Sequence, residues 1–118
     1  MITLDTARKL KEAGLVWEPK TGDMYAMYLP IDKRYSEKTE AFCGCCGCYQ
    51  DYRDLWLPRL DQILAEIEGR GYQWILWSCG DIAIAPIGHC TCYEAHADTP
   101  EEATGLGLLH ILGGGQDA

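Results

Sequence analysis

The chain has 118 residues, enough for one domain with an ordinary hydrophobic core. A hydrophobic fraction of 47% with four tryptophans excludes a disordered chain. Ten basic and eighteen acidic side chains give a formal charge of −8, which is unfavourable for binding the phosphates of a nucleic-acid polymer. That charge leaves open a small anionic ligand held by a local group of arginines.

The first residues contain no apolar signal core, and no apolar run reaches membrane-spanning length. We therefore expect a cytoplasmic protein without a membrane partner. Seven cysteines in a chain of this kind favour free thiols or metal ligands over a disulfide framework.

The first predicted element is an amphipathic helix over residues 3–14, because Leu4, Ala7 and Leu10 follow in helical register. Gly14 is placed to end this helix.

Two apolar runs, 15–17 and 24–29, flank a turn rich in Pro, Gly and Asp. This pattern predicts a β-hairpin. Residues 31–55 are polar, include the cysteine run, and predict a long surface excursion from a single domain spanning 1–118.

The strongest helical signal follows at residues 58–70, where apolar side chains recur at spacings of three and four. Those side chains are Leu57, Leu60, Ile63, Leu64 and Ile67. Pro58 suits the first helical turn, and Gly71 suits the left-handed position after the helix.

Three short strands are predicted next, at 73–78, 82–85 and 90–96, with antiparallel neighbours joined by short turns. The first of them is nearly all apolar, which is typical of a central strand covered on both faces.

The last helix opens with a capping box in which Thr99 and Glu102 are three residues apart. Gly105 and Gly107 inside this helix suggest close packing on the sheet or on a second subunit. The predicted class is therefore α+β, with helices packed on an antiparallel sheet in the order helix–hairpin–loop–helix–three strands–helix.

The cysteine run Cys-Gly-Cys-Cys-Gly-Cys at 43–48 contains two overlapping Cys-x-x-Cys pairs, and such a spacing lets two thiolates reach one ion. A second pair could come from the strand at 90–96. The predicted metal ligands are Cys43, Cys45, Cys46, Cys48, Cys90 and Cys92. Zn²⁺ and an iron–sulfur cluster both suit thiolates, and the alternative is reduced cysteines without metal.

Aromatic side chains are more numerous than one small core needs, and alternation along a strand places Trp74 and Trp77 on opposite faces. An exposed tryptophan beside arginines would suit a pocket that stacks a base and binds a phosphate. The predicted ligand-binding residues are Arg53, Arg59, Arg70, Tyr72, Trp74 and Trp77. The same patch would equally suit a subunit interface.

Catalytic motifs are not evident. Cysteine and histidine occur together near residue 90 without a nucleophile elbow or an orienting acid, and Gly113-Gly114-Gly115 lacks the lysine and following helix of a phosphate loop. We therefore predict a protein that is not an enzyme and has no catalytic residues.

Three stretches resemble small uncharacterised phage and prophage proteins of Gram-positive bacteria. They are LPRLDQILAEIEGRGY at 57–72, DTPEEA at 98–103 before a leucine-rich helix, and LDTARKLKEAGL at 4–15 followed by WEP. The resemblance leaves out the cysteine-bearing excursion and carries no catalytic residue across. It implies an accessory protein that acts against host defences.

Taken together, these features predict a phage-type binding protein, forming a homo-oligomer, that sequesters a small (cyclic) nucleotide signal. The alternative is a metal-stabilised module in which the cysteine excursion binds a host defence protein.

Overall fold

The computed structural model describes residues 2–18, 20–42, 54–88 and 92–113. Its elements in chain order are α1 (Leu4–Glu12), β1 (Met24–Leu29), β2 (Arg34–Ala41), β3 (Leu55–Leu57), α2 (Leu60–Gly69), β4 (Tyr72–Leu76), β5 (Ile82–Pro86), β6 (Tyr93–Ala95) and α3 (Pro100–Ile111). The strands form two antiparallel sheets, ordered β2-β1-β3 and β4-β5-β6. The α+β prediction is confirmed.

The first sheet shows that the predicted hairpin between 15–17 and 24–29 is wrong. β1 pairs instead with β2, Met24 opposite Ala41, and with β3, Met24 opposite Leu57. The apolar run at 15–17 packs as a connecting segment: Leu15 is buried and its N–H donates to the Leu10 carbonyl at 3.0 Å.

The predicted surface excursion at 31–55 is also wrong in part, because it contains the whole of β2 and its last residue, Leu55, begins β3. β2 is an edge strand whose side chains are exposed or half-buried, so its sequence carries none of the apolar alternation that marks a strand. Residues 43–53, which hold the cysteine run, lie outside the described part of the chain.

The central helix begins at Leu60, two residues later than predicted. Leu57 belongs to β3, and Pro58 is a buried link between strand and helix. At the start of α2, the Gln62 side-chain oxygen accepts a hydrogen bond from the Arg59 N–H at 2.8 Å. At its end, Gly71 has the predicted left-handed conformation with φ of 87°.

The second sheet has the three predicted strands, but the central one is β5 and not β4. All four residues from Ile82 to Ala85 are buried, whereas β4 alternates between half-buried and exposed positions. The isoleucines of β5 face the helices, and its alanines face the other side. β4 is therefore an edge strand of the described sheet despite its apolar sequence.

Helix α3 lies close to its neighbours because it carries two glycines. A Cβ atom on Gly107 would lie 3.5 Å from the Ile84 Cδ1 of β5, and one on Gly105 only 2.8 Å from the Ile2 Cδ1 beside α1. Of the two predicted roles for these glycines, the structure shows packing within the chain.

The N-termini of α1 and α3 are joined by Glu102. The Thr99 hydroxyl caps α3 as predicted, accepting from the Glu102 N–H at 3.2 Å. The Glu102 carboxylate instead reaches α1, where it accepts from the Thr3 N–H at 3.0 Å, the Thr3 hydroxyl at 3.2 Å and the Thr6 hydroxyl. One carboxylate thus serves the positive ends of two helices.

Replacing Glu102 with Ala should lower the free energy of unfolding by about 2 kcal/mol, because the part-buried Thr6 hydroxyl and the exposed Thr3 N–H both lose a charged acceptor. Urea denaturation measures this change. Glu37→Ala, an exposed site on β2, is the matched control and should change it by less than about 0.5 kcal/mol. Equal effects of the two changes would contradict the assigned role.

Candidate functional site

Two of the concave surfaces formed by the described residues include predicted site residues. The first, which we call the α2 cleft, lies between the segment after α1 and one side of α2, with a volume of about 410 Å³. It is lined by Gly14, Val16, Glu18, Lys20, Trp56, Gln62, Ala65, Glu66 and Arg70. The second, which we call the open-face trough, lies on the side of the β4-β5-β6 sheet that faces away from the helices, with a volume of about 390 Å³.

A buried carboxylate holds the α2 cleft together. The Asp23 side chain is only 3% exposed. One of its oxygens accepts from the Trp17 indole N–H at 2.9 Å and from the Lys20 backbone N–H at 3.0 Å, and the other accepts from the Gln62 amide at 2.8 Å. The segment after α1 is therefore tied to α2 through Asp23.

Burial by itself would raise the pKa of Asp23. The hydrogen bonds from Trp17, Gln62 and Lys20, and the charge of Arg59 at 3.6 Å, outweigh burial and hold that pKa below its ordinary value. Asp23 is consequently ionised at neutral pH, and its negative charge is compensated where it lies.

Of the described residues that line the cleft, Trp56 alone is aromatic, and we call it the floor of the cleft. The Trp56 ring lies parallel to that of Trp17, with centroids 6.4 Å apart and an interplanar angle of 6°. The Trp17 ring also packs against the rings of Tyr25 and Phe42, with centroids 5.5 Å and 6.1 Å away, the Phe42 pair meeting edge to face. The Trp56 indole nitrogen is enclosed and has no hydrogen-bond partner among the described residues. Trp56 therefore offers the cleft its ring and not its N–H.

Two cations and two carboxylates line this cleft among the described residues: Lys20 and Arg70, Glu18 and Glu66. The Arg70 guanidinium lies 3.2 Å from the Glu66 carboxylate one turn away. Exposed pairs of this kind contribute only about 0.3–0.5 kcal/mol. A ligand anion can therefore compete with Glu66 for Arg70.

The predicted ligand-binding residues do not form one site. Arg59 and Arg70 flank opposite ends of α2 and are roughly 16 Å apart along its axis. Arg59 contacts Asp61 and the Gly22 carbonyl, and Arg53 lies outside the described residues.

The predicted aromatic residues belong to the second sheet. Tyr72 is half-buried against the core, and the Trp74 indole donates to Glu68 at 2.8 Å. Trp77 is 43% exposed and borders the open-face trough, in line with the predicted alternation. None of the described residues that line this trough is cationic. Trp77 and Arg70 thus line different concave surfaces.

The predicted metal ligands fall almost entirely outside the described part of the chain, which omits Cys43, Cys45, Cys46, Cys48 and Cys90. Cys92 is an exposed free thiol beside the trough, and Cys79 is a second exposed thiol. Among the described residues, no three His, Cys, Asp or Glu side chains are grouped to hold a metal. The metal site stays a prediction.

Sequence reasoning missed two features. Asp23 stands in a polar turn, where nothing in the local pattern indicates burial. The second feature is an ion pair between the residue before β5 and the residue after β6: the His96 Nδ1 lies 2.8 Å from the Asp81 carboxylate. The hydrogen bond that the His96 imidazole donates to the Asp81 carboxylate raises the pKa of His96 and lowers the pKa of Asp81.

The chain matches no protein-family model, no curated protein and no solved structure. Among the described helices, none combines the length and apolar character that crossing a bilayer requires.

Replacing Asp23 with Asn should lower the free energy of unfolding by about 2 kcal/mol at pH 7. The three donors use both carboxylate oxygens, and the amide has one oxygen and a donating NH2 group in place of the other. The folded pKa lies below the ordinary 3.8, so the advantage of the native residue is complete above that pH and lost as the pH falls through the folded pKa. Denaturation at pH 7 and pH 3 measures both effects. Asp61→Asn, at a carboxylate that is 74% exposed, is the control and should change the free energy of unfolding little. Equal losses in the two variants would refute the role assigned to Asp23.

The His96 imidazole should titrate above the ordinary 6.5 when followed by NMR. The ion pair stabilises the fold fully between pH 3.8 and pH 6.5, the ordinary pKa values of the two groups. That stabilisation is lost as the pH rises through the folded pKa of His96 or falls through the folded pKa of Asp81. Asp81→Asn should return the His96 pKa towards its ordinary value. Glu94→Gln should leave most of the increase, because Glu94 lies 3.8 Å away from the imidazole. An unchanged His96 pKa in Asp81→Asn would contradict the assignment.

Proposed function

We propose that this chain is a non-enzymatic binding protein whose α2 cleft takes a small phosphorylated ligand with a planar base, of the nucleotide class. The observation that carries the proposal is the meeting of an aromatic floor, Trp56, with two cationic side chains, Lys20 and Arg70, in one cleft.

The size of the cleft supports a ligand of this class. Pockets for small molecules occupy about 300–1,000 Å³, and the α2 cleft, with about 410 Å³, lies towards the lower end of that range. A single nucleotide suits such a volume better than an oligonucleotide does.

The residues that line the cleft suit both the base and the phosphate of such a ligand. A base can stack on a tryptophan face, which contributes about 1–3 kcal/mol per base. The stack of Trp17 on Trp56 holds that floor in place before a ligand arrives. The Arg70 guanidinium suits a phosphate because its fork can donate two parallel hydrogen bonds.

The charges of the cleft favour a ligand with few negative charges. Lys20 and Arg70 are balanced by Glu18 and Glu66 among the described lining residues, and the whole chain carries −8. A cyclic nucleotide, whose phosphodiester carries one negative charge, meets less repulsion here than a nucleoside triphosphate. Cyclic mononucleotides are therefore the subclass that we propose.

The resemblance to phage proteins supports a biological role for such binding. A protein that holds a host signalling nucleotide without altering it lowers the free concentration of that signal. We propose sequestration of this kind, acting against a host defence. Because the sequence carries no nucleophile or phosphate-loop motif, the proposal is binding without turnover.

Thermal unfolding of the full chain with cyclic mononucleotides tests the proposal. A ligand present at 100 times its dissociation constant should stabilise the fold by about 2.7 kcal/mol, which raises the melting temperature of a domain this size by several degrees. The matched nucleoside triphosphate should give a smaller shift, and isothermal titration calorimetry should give the affinities.

Arg70→Gln and Lys20→Gln should each weaken binding about tenfold, because each removes one cation facing the phosphate. Arg34→Gln is the control, since Arg34 lies at the β1–β2 turn beside Asp32 and does not line the cleft. No stabilisation by any cyclic mononucleotide, or equal affinity in all three variants, would overturn the proposed site. Conversion of the ligand during incubation would overturn binding without turnover.

A further inference from the structure

The open face of the β4-β5-β6 sheet is apolar and exposed. Ile75 of β4 is 60% exposed, and Trp77, directly after β4, is 43% exposed. Ile75 lies directly opposite Ala83 of β5, so these side chains share one face of the sheet. Tryptophan is enriched at protein interfaces, and an exposed apolar patch of this kind marks an interaction surface.

The relief of this face is self-complementary. Ile75 of β4 and Trp77, directly after it, form a ridge. Beside this ridge, the small side chains Ala83 and Ala85 of β5 form the floor of the open-face trough. A two-fold axis parallel to the strands, placed above the boundary between β4 and β5, carries β4 of one copy over β5 of the other. Each ridge then enters the other copy's trough, as an isologous interface requires.

The distribution of charge agrees with this arrangement. Two copies of a chain with a charge of −8 repel one another. The stretch from Gly71 to Gly80, which includes the whole ridge, carries no charged side chain. Glu94 lies opposite Ala83 on β6, at the far side of the trough, and falls at the rim of the paired faces.

We propose that this face is a docking surface for a second copy of the chain, giving a two-fold dimer with sheets packed face to face. Sheets packed in this way lie about 10 Å apart with roughly aligned strands. The inference is independent of the ligand proposed for the α2 cleft, because the trough lies on a different surface.

The size of the face sets the expected strength of the dimer. Three strands spaced about 4.8 Å apart and five residues long cover roughly 14 by 17 Å. Two such faces bury roughly 500 Å² in total, well below the range of about 1,200–2,000 Å² for stable complexes, so association through this face alone is weak and reversible. We therefore expect monomer and dimer in exchange, with the dimer favoured as concentration rises.

Sedimentation velocity of the full chain under reducing conditions, from about 10 µM to about 500 µM, tests the proposal. The mass should rise from 13.2 kDa towards twice that value. Added salt should strengthen association, because it screens the repulsion between two acidic copies. A mass that stays at the monomer value throughout would overturn the proposal.

Matched substitutions locate the interface. Ile75→Glu should weaken the dimer at least about tenfold, because it places a charge in the apolar contact. Ile31→Glu, the same change at a residue that is 96% exposed in the β1–β2 turn, should leave association unchanged. Ala83→Leu fills the trough with an apolar group and should also weaken the dimer. Nonspecific hydrophobic association would instead be strengthened by the added apolar surface.

Circular dichroism should show each variant folded. A dimer that survives Ile75→Glu, or that Ala83→Leu strengthens, would place the interface elsewhere and refute the proposal.

Discussion

The structure depends on a buried carboxylate, Asp23, which ties the segment after α1 to α2. Asp23 begins no strand and ends no helix, yet it accepts hydrogen bonds from the segment after α1 and from the first turn of α2. An unpaired charge at a site so enclosed would be costly, and each donor therefore has to be in place for the fold to form. The α2 cleft exists because this carboxylate fixes both of its walls.

The two concave surfaces differ in chemistry, and that difference separates the two proposals. The α2 cleft combines an aromatic floor with both signs of charge, which suits a small polar ligand with a planar part. The open-face trough is apolar and has no described cation, which suits another protein surface. Trp77 and Arg70, which look like parts of one patch in the sequence, thus line different concave surfaces.

The sequence predicted correctly the features that depend on neighbouring residues, such as helix ends. It failed for strands whose position depends on pairing with distant parts of the chain. Gly14 and Gly71 end their helices as predicted, because the left-handed conformation after a helix favours glycine whatever surrounds it. β2 was missed because an edge strand takes its stability from backbone pairing with β1 and leaves polar side chains outside. β4 was placed in the centre of its sheet because its apolar ridge reads like a buried strand, although that ridge is exposed.

The sequence by itself determined the fold class, the three helices and the three strands that follow α2, since periodicity, capping and turn residues act over a few positions. Only the tertiary structure decided which carboxylates matter. The Asp23 side chain binds α2 through Gln62, 39 residues away, and the Glu102 carboxylate, expected to cap its own helix, binds Thr3, 99 residues away. Contacts at such separations depend on how elements pack against one another, and a local pattern of residue types carries no record of that packing.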